Sequence, residues 1–163
     1  MGMTPEDYLQ SFVQGNLADC EADPSSVRLA FNAAVSASHL ADHYYHYHDR
    51  RNPHKVAEFS DLTSFLSQSE RETDGGLRDI RSISNAYKHL YLTRGEPEID
   101  SAGRVESITF KESESRGLTN MGWNLESTEE LRVAYTRKDG STHDFLETLQ
   151  KVVAYWEDVV WRQ

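Results

Sequence analysis

Between Pro24 and Pro53 the chain has a long stretch without a helix-breaking residue, and no other part of the sequence limits the fold as strongly. Asp23-Pro24-Ser25 has the polar cap and the proline that begin helices, and the next break is Asn52-Pro53. The stretch predicts a helix of roughly 26 residues, about 40 Å long. Most of its surface is apolar or small, which is typical of a helix at the centre of a bundle.

Further helices are predicted around this central one. Thr4-Pro5-Glu6-Asp7 begins a first helix that runs to about Asp19. A third helix follows Pro53 and ends before the polar stretch 67–76. Its inward residues are Val56, Phe59, Leu62, Phe65 and Leu66.

Two more helices complete the predicted bundle. A fourth spans Leu77 to about Thr93, and the last begins near Asp144. The inner stripe of the fourth helix is Ile80, Ile83, Tyr87, Leu90 and Tyr91. The apolar face of the last helix is Phe145, Leu149, Val152, Val153, Trp156 and Val160.

Between residues 103 and 143 the hydrophobic period changes from that of a helix to that of a strand. Residues 105–110 and 131–135 alternate apolar with polar side chains, which predicts two antiparallel strands. The polar segment 111–130 is predicted to be a mobile loop, and Asp139-Gly140 a tight turn before a third strand at 141–143. The fold class is therefore mainly α, a four- or five-helix bundle with a small antiparallel β hairpin or sheet inserted before the C-terminal helix. Residues 1–163 are expected to form one domain.

The composition excludes some classes of function. Lys and Arg number 17 against 27 Asp and Glu, a formal net charge of -10, which argues against broad binding to DNA or RNA backbones. No apolar run is long enough to cross a membrane, and the N-terminus lacks the features of a signal peptide, so a cytoplasmic location is expected. Cys20 is the only cysteine, so an internal disulfide is excluded.

The central helix has one narrow polar stripe, which needs partners if the helix is buried. The stripe consists of Asn32, Ser36, His39, His43, His46 and Arg50, with Asp42 on its margin. The fourth helix offers a counterpart in Arg78, Ser82, Asn85 and His89, flanked by Arg81 and Lys88.

Two interpretations of these stripes stay open. The stripes could line one groove, with Asn32, His39, His43, Asn85, Lys88 and His89 binding a small anionic or amide ligand. They could equally form a hydrogen-bonded seam between the two helices, with solvated ends.

The histidines also allow a metal hypothesis. His39 and His43 are spaced i, i+4 on one helical face, and His46 or Asp42 could join them as a third ligand. No His-Glu-x-x-His motif is present. The sequence therefore predicts no cofactor, with a divalent metal at this stretch as the weaker alternative.

The segment Ile83-Ser84-Asn85-Ala86-Tyr87-Lys88-His89, with the long helix before it and the strands and Trp-bearing helix after it, resembles bacterial proteins of the HEPN-like type. The resemblance implies a four- or five-helix bundle that forms a homodimer. Many HEPN domains are metal-independent ribonucleases that use an Arg-x4-6-His motif. Here His89 and Asn85 correspond to that region, whereas the nearest preceding arginines, Arg81 and Arg78, lie eight and eleven residues before His89.

Three functions follow as hypotheses. The first is a noncatalytic binding or interaction protein, with a small anionic ligand or a protein as its partner. The second is an RNase-like or nucleotide-directed enzyme, in which His89 is the general acid or base and Asn85 and Arg78 are further candidate catalytic residues. The third is a metal-binding bundle that uses His39, His43 and His46.

Overall fold

The computed structural model describes residues 2–88, 99, 102–119 and 122–162. The chain begins with α1 (Pro5–Tyr8), a π-helical turn (Leu9–Val13) and α2 (Gln14–Ala22), which together form one N-terminal helix. Thr4 caps it: the Thr4 hydroxyl accepts from the Asp7 backbone N–H, and the Asp7 carboxylate accepts from the Thr4 N–H. The predicted first helix is confirmed and extends three residues beyond Asp19.

Helix α3 (Val27–Arg51) is the long central helix that the sequence predicts. It contacts the N-terminal helix, α4 (Leu62–Glu72), α5 (Gly76–Lys88) and α6 (Phe145–Trp161). Its buried residues include five alanines and two tyrosines, Tyr44 and Tyr45. Small side chains let neighbouring helices approach the α3 backbone closely, which suits a helix that is covered on several sides.

Helix α4 begins later and ends later than predicted. After Pro53 the chain forms only a short 3-10 turn (Pro53–Lys55), and α4 starts where the Asp61 carboxylate accepts a 2.7 Å hydrogen bond from the Ser64 N–H. It then continues to Glu72, through much of the polar stretch 67–76, before which it was predicted to end. The polarity of this stretch reflects the exposed side of an amphipathic helix rather than a break in it.

Helix α5 buries Ile80 and Ile83, as its inner stripe predicts. The prediction for Tyr87 is wrong, because 54% of this residue is exposed. Its ring stacks on that of Phe31 with 4.7 Å between centroids, so Tyr87 packs at the edge of the core. Leu90 and Tyr91 lie outside the described residues.

The β region is a three-stranded antiparallel sheet in the order β1 (Val105–Thr119), β2 (Gly122–Thr136) and β3 (Thr142–Asp144). The prediction of a mobile loop over 111–130 is wrong, since β1 and β2 stay paired as far as Arg116 opposite Asn124 and Thr119 opposite Gly122. The loop prediction rested on the small number of apolar residues in this segment. Strand pairing relies on backbone groups, and this segment has no proline to interrupt them.

The turn between β2 and β3 and the last helix agree with the sequence. Gly140 has φ +86°, which glycine adopts without strain, and β3 follows two residues later. Asp144 caps α6 by accepting from the Leu146 and Glu147 N–H groups. All six predicted apolar residues of α6 are buried.

The fold is thus mainly helical, with a small antiparallel sheet before the C-terminal helix, as predicted. Across the described residues the structure has five helices, with the N-terminal one counted once. One cluster of buried side chains joins the helices to the sheet. No helix in the described ranges is long and apolar enough to cross a membrane.

Candidate functional site

The polar stripe of α3 divides into two parts with different surroundings. In the first part Ser36 is buried. Its hydroxyl accepts a hydrogen bond from the Asn16 side-chain amide and donates one to the Ala33 carbonyl, each with a length of 3.0 Å. Asn32 and His39 are exposed. Ser36 therefore belongs to the packing between the N-terminal helix and α3.

The predicted counterpart on α5 is also mixed. Arg78 and Asn85 are exposed and Ser82 is buried, whereas the Lys88 side chain and His89 lie outside what the structure describes. Where α3 meets α5, the Arg81 guanidinium lies 3.2 Å from the Asp42 carboxylate and donates to the Ser38 carbonyl. This ion pair is a polar link between the two helices of the kind that the seam interpretation predicts.

The second part of the stripe lines a surface cleft of about 860 Å³. His43, His46 and Arg50 form one wall, together with Tyr47 and Arg51. The opposite wall is the start of the chain, and its residues are Gly2, Met3, Thr4, Asp7 and Ser11. Of the predicted ligand-binding residues that the structure describes, only His43 lines this cleft, and the facing element is the N-terminal helix rather than α5.

His43 fixes the two walls to each other. Its Nε2 atom makes a 3.0 Å hydrogen bond with the Met3 carbonyl oxygen, and its ring lies 5.3 Å from that of Tyr8, centroid to centroid. Because a carbonyl only accepts, Nε2 carries the proton in this contact. Thr4 and Asp7 are engaged in the capping box, so the N-terminal wall is held in one conformation.

Arg50 and Arg51 give the cleft its charge. Both are exposed in the last turn of α3, where cations are favoured by the helix dipole, and neither guanidinium makes a hydrogen bond or ion pair with another described residue. Among the described residues that line the cleft, Asp7 has the only carboxylate. The cleft is therefore a local positive site in a chain of net charge -10. The N–H donors of both guanidinium groups make no contact with another described residue, which leaves them available to a ligand.

Metal binding receives no geometric support from this stretch. Within the described ranges, no group of three or more His, Cys, Asp and Glu side chains is placed to hold a metal ion. His43 already uses Nε2 for the Met3 carbonyl, and His46 is exposed.

A second polar cluster lies where α5, β2 and α6 meet, and no sequence pattern predicts it. Asp79 is fully buried, and its carboxylate accepts from Tyr135 Oη at 2.8 Å and from the Arg137 guanidinium. The Tyr135 and Thr148 hydroxyl oxygens are 2.9 Å apart. Burial raises the pKa of Tyr135, and the Asp79 charge raises it further.

A small cavity of about 210 Å³ adjoins this cluster and is also lined by His143 and Lys151. The His143 ring stacks on Tyr135 with 5.4 Å between centroids, and the Lys151 ammonium lies 3.5 Å from Asp74. The charged groups around this cavity are thus paired: Asp79 with Arg137, and Lys151 with Asp74. No short motif links Asp79, Tyr135 and Thr148. The Tyr135–Asp79 contact joins residues 56 positions apart, and the Tyr135–Thr148 contact joins residues 13 positions apart.

Comparison with known proteins adds no assignment. No family model, no curated protein and no solved structure matches this chain.

Proposed function

We propose that this chain is a noncatalytic binding protein with a HEPN-like bundle, and that it holds a small anionic ligand in the cleft between α3 and the N-terminal helix. The observation that carries the proposal is the pair of guanidinium groups, Arg50 and Arg51, that line the cleft without a partner among the residues that the structure describes. Guanidinium groups bind carboxylates and phosphates through two parallel hydrogen bonds, which gives both charge and orientation.

A binding role is favoured over catalysis by the state of the other polar groups. His43 is committed to the Met3 carbonyl, and the buried Asp79 is paired with Arg137 and Tyr135. The His43 imidazole and the Asp79 carboxylate are therefore engaged in contacts of the fold rather than available as a general acid or base. The enzyme hypothesis on His89, Asn85 and Arg78 stays a prediction, for which loss of RNA cleavage in His89→Ala with retained folding is the test.

Two further hypotheses stay open alongside this proposal. The metal hypothesis requires stoichiometric metal in protein purified without a nickel resin, and its loss in His39→Ala/His43→Ala. The homodimer implied by the HEPN resemblance requires twice the monomer mass of 18.7 kDa in light scattering.

The test of the anion site is titration calorimetry at low ionic strength with inorganic pyrophosphate as the probe. Arg50→Gln/Arg51→Gln should weaken binding about tenfold or more, since each lost charge-assisted hydrogen bond is worth about 1.5–3 kcal/mol. Added salt should weaken wild-type binding as well, because the cleft is open to solvent.

Arg28→Gln is the matched control, because Arg28 is exposed on the same helix but does not line the cleft. Its binding should equal that of the wild type. If the double variant binds as the wild type does, or if Arg28→Gln weakens binding equally, the cleft is not the site and the proposal is wrong.

A further inference from the structure

A different cavity, of about 500 Å³, opens between the 3-10 turn after α3, α4 and the C-terminal end of α6. It shares no lining residue with the anion cleft. Four aromatic residues line it: Tyr44, Phe59, Phe65 and Tyr155. Tyr44 and Phe65 are buried, and Phe59 and Tyr155 are half-buried, so the aromatic surface belongs both to the core and to the cavity wall.

Three of these rings pack directly against one another. The planes of Phe59 and Phe65 are inclined by 80° with 5.1 Å between centroids, and Tyr44 lies parallel to Phe65 within 7° at 5.7 Å. These are contact distances between rings, so no group fits between them. Phe59 and Phe65 instead give the cavity two aromatic walls at right angles.

The fourth wall is held rigidly by hydrogen bonds. The Tyr155 hydroxyl donates to the Ser69 hydroxyl over 2.9 Å, and the Ser69 hydroxyl donates to the Phe65 carbonyl over 3.0 Å. Ser69 is fully buried. Because these hydrogen bonds join α6 to α4, the site is built before a ligand arrives and loses little conformational entropy on binding.

The charges around the rings favour a cation. Three carboxylates line the cavity, namely Glu58, Glu72 and Asp158. Asp158 is paired with Arg162 and Glu72 accepts from the Gln68 amide, whereas Glu58 is exposed and makes no hydrogen bond or ion pair with another described residue.

Lys55 is the remaining cation of the cavity wall. Its ammonium is 3.5 Å from the Arg162 carbonyl oxygen, at the limit of a hydrogen bond. The three carboxylates outnumber the two cations, Lys55 and Arg162, by one, so the lining has a formal net charge of -1 with His54 counted as neutral.

We propose that this cavity binds an ammonium group that carries methyl substituents. Aromatic rings attract such cations through the negative charge of their faces, and the methyl groups fill the space that a hydrated ion does not. The carboxylates add attraction that a neutral ligand does not feel and repel an anion. The volume lies within the range of small-molecule sites. The group could belong to a free compound or to a methylated lysine of another protein.

The test is binding of choline and of tetramethylammonium, followed by protein NMR or calorimetry. The neutral carbon analogue of choline, 3,3-dimethylbutan-1-ol, has the same shape without the charge and should bind at least about threefold more weakly. A trimethyllysine peptide and its unmethylated form distinguish the two sources: tighter peptide binding identifies a protein partner, and tighter choline binding a free compound. Equal binding of choline and its neutral analogue would overturn the proposal.

Variants locate the site. Phe59→Leu keeps an apolar side chain but removes the aromatic ring, and Glu58→Gln removes the unpaired charge; each should weaken choline binding about three- to thirtyfold. Phe12→Leu is the matched control, because Phe12 is exposed on the N-terminal helix and should leave binding unchanged.

The exposed position of Glu58 keeps the test valid if Phe59→Leu is too unstable to measure. Arg50→Gln/Arg51→Gln should bind choline as the wild type does, so this site and the anion cleft can fail separately. The proposal is wrong if Glu58→Gln and a folded Phe59→Leu both bind choline with wild-type affinity.

Discussion

The Arg137 guanidinium engages both oxygens of the Asp79 carboxylate: its Nε atom lies 3.2 Å from Oδ1 and 3.1 Å from Oδ2, and its Nη2 atom donates to Oδ2 as well. Asp79 is fully buried in the first turn of α5, whereas Arg137 follows β2. The pair therefore fastens the sheet to the helical bundle through a carboxylate that has no access to water.

Arg137→Met should destabilise the protein by about 3–5 kcal/mol, because it leaves the buried Asp79 charge without its cation. Chemical denaturation measures the loss. Arg162→Met is the control, since the Arg162–Asp158 pair is exposed and should contribute less than about 1 kcal/mol. Adding Asp79→Asn to Arg137→Met should recover part of the loss. An Arg137→Met protein as stable as the control would show that the Asp79 charge is not buried as described.

The helices were predictable because their signals are local. The 3.6-residue period predicts the buried face of α6 residue by residue, and the predicted start near Asp144 coincides with the residue that caps the helix. The same holds for α3, whose ends are marked by residues 23–26 and by Asn52-Pro53. In both cases the pattern of apolar residues and the boundary residues agree, so tertiary packing has nothing to override.

The partners of each element were not predictable in the same way. The polar stripe on α3 is visible in the sequence, but a stripe carries no information about which element faces it. The predicted facing element is α5, whereas the N-terminal helix lines the cleft. The Asp79–Tyr135–Arg137 contacts depend on how the sheet docks on α5, which no short motif encodes. Arg51 is not part of the predicted stripe, although two adjacent arginines at a helix C-terminus are a recognisable signal.

Two glycines in helices should respond oppositely to alanine. Gly15 lies in α2, and a Cβ there would meet no atom within 4 Å, so Gly15→Ala should stabilise the protein by about 0.5–1 kcal/mol. A Cβ on Gly76 would lie 3.3 Å from Val152 Cγ2 and 3.4 Å from Thr148 Cγ2, where α5 meets α6. Gly76→Ala should therefore gain nothing or lose stability. Thermal unfolding of both variants compares them, and an equal gain would contradict the close approach of α5 and α6.

His48 makes the stability of the fold depend on acid. It is 2% exposed, its Nδ1 atom is 3.5 Å from the Asn52 amide nitrogen, and its Nε2 atom has no hydrogen-bond partner among the described residues. The ring packs against that of Tyr44 with 4.4 Å between centroids. Burial lowers the pKa of His48, and the nearby Lys55 charge lowers it further. The folded protein therefore favours neutral His48.

The sign of the pH dependence follows from this shift. Above the unfolded-state pKa of about 6.5, His48 is neutral in both states and costs nothing. As the pH falls below that value the unfolded chain takes up a proton that the folded chain does not, so the free energy of unfolding decreases until the pH reaches the folded-state pKa. The slope from one such group is at most about 1.4 kcal/mol per pH unit.

His48→Gln should therefore flatten the fall in stability below about pH 6.5, whatever its effect at neutral pH. Urea unfolding at a series of pH values measures the slope. His46→Gln is the control for replacing a histidine by glutamine, because His46 is exposed on the same helix. If the free energy of unfolding of His48→Gln falls with pH as steeply as that of the wild type in this range, the buried histidine is not the group that makes folding sensitive to acid.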